Sequence, residues 1–160
     1  MGRHALTVIL EDIRSALNVG AIFRTCDAVA AEKLVLTGIT PYPPHHRIPK
    51  TALGAITSVP WSYQRDKERV IAEYATSMPL IAVEITPEAV NLYDYQFPAR
   101  CALIFGNEIS GVSAQALAKA VATVKIPMFG SKESLNIATS VGIVCYEIIR
   151  QWRYNPTDIN

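Results

Sequence analysis

The chain has 160 residues, half of them apolar and 18% charged, with a formal net charge of +1. That is one ordinary domain with enough apolar material for a real core, and it excludes a disordered chain. A charge so near zero gives no global attraction to nucleic acid or membrane, so any RNA contact has to come from a local patch. No signal peptide and no apolar run of about 18 residues is present, so no membrane association is expected. Cys26, Cys101 and Cys145 form no CxxC, and each sits in an apolar run. They read as buried thiols of a reducing cytoplasm. His45-His46 has no cysteine nearby, so no zinc or other metal is expected.

Leu6–Leu10 (LTVIL) is a short apolar run and predicts a buried strand. Glu11 to Ser15 reads as a polar loop. Asn18 is a good N-cap for the helical spacing that follows. Lys33–Gly38 is a second strand, which makes a strand, helix, strand unit and so a parallel sheet. Thr40–Lys50 has four prolines and predicts an irregular, exposed segment. Its His45, His46, Arg47 and Lys50, with Arg3, His4 and Arg14 earlier in the chain, form a candidate phosphate-binding patch, the alternative being a solvated loop.

Thr51–Ile56 predicts one helical turn and Val59–Tyr63 a strand. Asp66–Thr76 predicts an amphipathic helix capped by Asp66, and Leu80–Ile85 a strand. Asn91–Gln96 has no clear pattern. Cys101–Phe105 and Val121–Ile126 are strands, with a Ser-capped helix over Ser113–Ala120 between them. A long helix then runs over Ser134–Trp152, with Ser131 or Ser134 as its cap. It is apolar nearly all round, which predicts burial on more than one side, by the sheet and by a second subunit. The alternation predicts an α/β fold with a mainly parallel sheet flanked by helices.

Three glycine-containing turns each follow a strand: Asn18 to Thr25, Phe105 to Gly111, and Ile126 to Gly130 leading into Ser134-Leu135-Asn136. Ligands of open α/β sheets bind beyond the carboxyl ends of the strands, where these turns fall. GxGxxG and the P-loop Lys-Ser/Thr are both missing, which argues against an oxidoreductase on a dinucleotide site. Gly106 removes a side chain at a strand end, which lets a flat ligand approach the backbone. Arg24 lies among apolar neighbours. It is either paired, with Glu108 as candidate partner, or snorkelling, or aimed at an anionic partner.

Together the three turns resemble the SpoU (TrmH-like) family of RNA ribose 2'-O-methyltransferases, in the SPOUT superfamily. Its first motif is matched by Asn18, Gly20, Arg24 and Thr25, and its second by Gly106, Glu108 and Gly111. Its third is matched by Ile126, Pro127, Met128, Ser134, Leu135 and Asn136. The resemblance implies a C-terminal deep trefoil knot and a homodimer. It implies S-adenosylmethionine as cofactor, held around Thr86, Gly106, Ile126 and Leu135.

The implied reaction is methyl transfer to a ribose 2'-OH, with tRNA favoured over rRNA as substrate. Arg24 would act as general base or phosphate clamp, while Asn18, Glu108, Ser134 and Asn136 hold it and the ribose in place. RNA contacts fall to Arg14, His45, His46, Arg47 and Lys50. The first strand begins close to residue 1, so the expectation is a single domain over 1–160 without a separate N-terminal RNA-binding domain. A non-catalytic RNA-binding module on the same fold is the alternative.

Overall fold

The computed structural model describes residues 2–154. Its elements are β1 (His4–Glu11), α1 (Ala16–Ala28), β2 (Ala31–Thr37), α2 (Pro49–Ala52), α3 (Ala55–Ser58), β3 (Trp61–Gln64), α4 (Lys67–Ser77) and β4 (Leu80–Val83). They continue with β5 (Val90–Asn91), a 3₁₀ turn (Leu92–Asp94), β6 (Cys101–Phe105), α5 (Ala114–Lys119), β7 (Ala122–Lys125) and α6 (Ile137–Arg153). The seven strands form one sheet in the order β3-β2-β1-β6-β4-β7-β5, and each strand pair is parallel.

The near-continuous apolar runs of β1 and β6 follow from burial on both faces of a parallel sheet. Alternation sends Leu6, Val8, Leu10, Leu103 and Phe105 to one face, where they meet α1 and α6 through Phe23, Cys26, Val144, Cys145 and Ile148. Ile9, Val35, Ala102 and Ile104 point to the other, against Val70 and Ile71 of α4 and Ala116 of α5. All three cysteines are free and buried. Burial pushes the Cys26 and Cys101 thiols up to about 12, and that of Cys145 well above its ordinary value. They are core residues, not nucleophiles.

Several boundaries differ from expectation. Ser15, not Asn18, caps α1: its extended backbone lets its hydroxyl accept from Asn18 N. Neither Ser131 nor Ser134 caps α6; Asn136 does, its Oδ1 accepting from Ala138 N and Thr139 N at 2.9 and 3.2 Å. Glu11 is no loop residue. It ends β1 in the core, and its Oε1 accepts from Ser113 N at 2.8 Å. The single turn expected over 51–56 is two short helices, α2 and α3, split by a left-handed Leu53-Gly54. The proline-rich segment is irregular as expected, but Ile48 within it is buried.

α6 is buried on one side only within the chain. Val141, Val144, Cys145 and Ile148 face the sheet, while Tyr146 is 55% exposed. Among the described residues no helix is long and apolar enough to cross a membrane, and no group of His, Cys, Asp and Glu could hold a metal ion.

Candidate active site at the carboxyl edge of the sheet

The chain runs outward from β1 to β3, then crosses to build β4 to β7 on the other side. The order therefore reverses beside β1, the place where open α/β sheets bind ligands. A cavity of about 410 Å³ opens there, beyond the ends of β4, β6 and β7. Glu84 and Ile85 line it after β4, Gly106, Glu108 and Ile109 after β6, and Lys125, Ile126 and Met128 after β7. Ser134, Leu135, Asn136 and Asn18 complete the wall. Its size suits a cofactor or small ligand.

Several expected site residues do converge. Asn18 of α1 and the α6 cap Asn136 are hydrogen-bonded, Asn136 Nδ2 donating to Asn18 Oδ1 at 3.2 Å. This joins the first and third turns across the cavity wall. Glu108 takes the Arg14 backbone N–H with both carboxylate oxygens, at 2.8 and 3.0 Å. That ties the second turn to the loop after β1. Thr86 lies one residue beyond Ile85, outside the wall, and its carbonyl accepts from Ala89 N in a turn.

Gly106 lines the cavity and serves a second purpose as well. A Cβ there would stand 2.2 Å from Val112 N and 2.4 Å from Gly111 O, so the missing side chain lets the returning loop close on the strand end. Gly111 has φ +74°, and a Cβ on it would meet Glu84 Oε2 at 2.4 Å. Glu84, which no motif marked, accepts from Val112 N at 2.9 Å and from Ile85 N at 2.9 Å. It holds the second turn against β4 and lines the cavity. Its only signal was an acid inside the apolar run Leu80–Ile85, which β4 leaves at Val83.

Asn107 pins the same loop. Its Oδ1 accepts from Ile109 N and Ser110 N, and its Nδ2 donates to Asp12 O at 2.7 Å. Asp12 pairs with Lys67. Burial raises the Asp12 carboxyl, but the Lys67 and Ile39 N hydrogen bonds outweigh it and bring it below its ordinary range. The same bond raises the Lys67 ammonium.

Arg24 does not pair with Glu108. It is exposed and makes no hydrogen bond or ion pair among the described residues. It lies instead in a second hollow with Lys50, Thr51 and Leu53, walled by Tyr146 of α6. Six helical residues separate it from Asn18, about 9 Å along the axis and about 240° round it. One chain therefore does not bring Arg24 to its own cavity. Arg47 and Lys50 are exposed, and the His45 and His46 rings stack at 4.8 Å.

Arg3 and His4 leave the expected cationic patch. They sit at the opposite edge, where Arg3 donates to the Ala31 and Ser58 carbonyls. His4 Nδ1 lies 2.8 Å from Val29 O, and its Nε2 receives Arg153 Nε at 2.9 Å.

The chain matches the SpoU rRNA Methylase family over residues 5–146. It is 32% identical over 157 residues to the tRNA (guanosine(18)-2'-O)-methyltransferase of Thermus thermophilus, spanning 91% of this chain and 75% of that protein. The AdoMet-bound rRNA methyltransferase of Sinorhizobium meliloti superposes with a TM-score of 0.83 at 26% identity, covering 91% of this chain but 56% of the larger one. A structure concerned with 2-OH methylation of C/U34 on tRNA superposes with a TM-score of 0.84 at 26% identity, covering 94% of this chain and 97% of the other. With the matching turns gathered at one strand edge, the chain belongs to the SpoU RNA methylase family.

Proposed function

We propose that this chain is an S-adenosylmethionine-dependent RNA methyltransferase acting on a ribose 2'-OH of tRNA. The observation that carries the reading is the cavity itself. It gathers Asn18, Glu108, Ser134 and Asn136 from all three family turns, with Gly106, Ile126 and Leu135 in the same wall. The residues fit the cofactor: strand-end backbone and Ile85, Ile126 and Leu135 offer a flat apolar bed, and polar groups stand at the rim. When bound, the cofactor supplies a methyl group activated by its sulfonium centre.

The chain's own residues position the nucleophile. A guanidinium resists deprotonation, so Arg24 serves best as a clamp on the RNA phosphate that orients the adjacent hydroxyl. Among the described residues no acid pairs with it, which supports this role, and Lys50 in the same hollow adds a second cation. The exposed Arg14 side chain, with His45, His46 and Arg47, extends the grip along the backbone. RNA is the matching polymer because only it carries the 2'-OH.

Arg24 and Asn18 diverge around α1, so bringing Arg24 to a cavity calls for a second chain. The half-exposed face of α6 at Tyr146, beside Arg24, is the surface for it. A homodimer with sites shared between protomers follows. The family's deep trefoil knot belongs to the C-terminal part that forms the cavity, and the three buried thiols support a reducing, cytoplasmic setting.

For the target nucleotide, the fold likeness to the structure concerned with 2-OH methylation of C/U34 on tRNA makes a pyrimidine at position 34 the candidate, with guanosine 18, the target of the Thermus thermophilus relative, as the alternative. Calorimetry with S-adenosylmethionine and NAD, followed by transfer of labelled methyl to tRNA, tests the reading. Binding of NAD but not S-adenosylmethionine would overturn it.

A further inference from the structure

The loop after β2 carries an aromatic arrangement that neither core explains. Tyr42 lies flat on Tyr63, with ring centroids 3.8 Å apart and planes at 21°. Tyr63 is fixed from below: it sits in β3 opposite Leu36 and its hydroxyl donates to Gly38 O at 2.6 Å. Tyr63 borders the core on the α1 side, whereas Tyr42 belongs to neither core cluster and is 44% exposed. One face of the Tyr42 ring is thus held against protein while the ring stays open to solvent. His45 N donates to Tyr42 O at 3.1 Å, which places the stacked His45–His46 pair in the next turn. Arg47, Lys50 and Arg65 are exposed nearby in the chain.

We infer that Tyr42, backed by Tyr63, is a stacking platform for an unpaired base of the RNA substrate. An ordered aromatic face beside cations is the arrangement that binds single-stranded nucleic acid, because every base has a face to stack while its phosphates meet positive charge. Backing by Tyr63 fixes the ring beforehand, so little freedom is lost on binding. The platform lies at β2 and β3, and Tyr42 is not in the wall of the cavity beyond β4, β6 and β7. The base on Tyr42 is therefore a neighbour of the methylated nucleotide, not the nucleotide itself. The platform selects substrates whose target lies in a loop rather than in a duplex. This rests on the RNA-methylation reading.

The test compares wild type, Tyr42→Ala and Tyr42→Phe. Fluorescence anisotropy measures binding of a short labelled single-stranded RNA and of its duplex, without cofactor. Tyr42→Ala should weaken single-strand binding about 5- to 100-fold and leave the much weaker duplex binding unchanged. Tyr42→Phe should bind as wild type does. In methyl transfer, Tyr42→Ala should raise KM for tRNA with kcat and S-adenosylmethionine affinity unchanged. The inference falls if wild type does not bind the single strand, or if Tyr42→Ala binds it normally. It also falls if single strand and duplex suffer alike, or if Tyr42→Phe loses as much as Tyr42→Ala. If Tyr42→Ala weakens single-strand binding but wild type methylates no RNA, the platform stands and the transferase reading fails alone.

Discussion

Replacing Gly106 by alanine tests how the cavity wall is held. The added Cβ would stand 2.2 Å from Val112 N, where real contacts do not fall under 3.0 Å, so the loop must retreat by that difference. It has little room to do so, because Gly111 N is bonded to Asn107 O at 2.8 Å and Val112 N to the Glu84 carboxylate at 2.9 Å. Overpacking costs about 1–3 kcal/mol, and losing the charged hydrogen bond about 1.5–3 kcal/mol. A combined loss of roughly 3–5 kcal/mol lowers the melting temperature by roughly 6–20 °C for a domain of this size. Cofactor affinity should fall with it, since the displaced loop carries Glu108 and Ile109. Scanning calorimetry and titration with S-adenosylmethionine measure both effects. Gly130→Ala is the control: nothing lies within 4 Å of its Cβ, and it should change neither. A Gly106→Ala protein that melts and binds cofactor as wild type does would refute this account of the loop.

Three further outcomes are expected. Arg24→Ala should abolish methyl transfer without lowering the melting temperature, because the side chain is exposed and makes no ion pair among the described residues. Arg24→Lys should fail too if the planar fork holds a phosphate; an active, folded Arg24→Ala enzyme removes the residue from the mechanism. Tyr146→Asp on the open face of α6 should shift the light-scattering mass from dimer to monomer and lose transfer; a variant that stays dimeric argues against that interface. The Asp12–Lys67 pair sets a pH window, since Asp12 is lowered from its ordinary 3.8 and Lys67 raised from 10.5. Its contribution should vanish as pH falls through the lowered Asp12 value, and again as pH rises through the raised Lys67 value. Asp12→Asn should therefore lower the urea midpoint at neutral pH, by a difference that shrinks as pH falls through the lowered Asp12 value; an unchanged midpoint at neutral pH contradicts this.

The strands were legible because burial on both sheet faces leaves unbroken apolar runs, as in Leu6–Leu10 and Cys101–Phe105. The caps Asp66 and Ser113 were legible as well, each the polar residue just before a helical pattern. The α6 cap was not, since Ser131, Ser134 and Asn136 crowd the same approach, and only backbone geometry chooses Asn136. Glu11 and Glu84 were hidden for a different reason. Glu11 reads as the start of a polar loop and Glu84 as part of the strand Leu80–Ile85, whereas backbone N–H groups from distant loops meet both carboxylates. Arg24 and Glu108 share a family signature, but a signature carries no helix phase. Arg3 and His4 are near Arg14 in sequence, yet β1 spans about 25 Å between the two edges of the sheet. The Tyr42–Tyr63 stack was also invisible, because its partners lie on different segments joined only by the fold.

This cavity is proposed to direct a methyl group to a tRNA ribose. The direct measurement incubates the protein with unmodified tRNA and isotope-labelled S-adenosylmethionine, then maps the label by nuclease digestion and mass spectrometry. The account predicts one labelled 2'-O-methyl ribose, at the pyrimidine of position 34, and none with Arg24→Ala. Label on a base instead of a ribose, or no label in RNA from a protein that binds the cofactor, would contradict it.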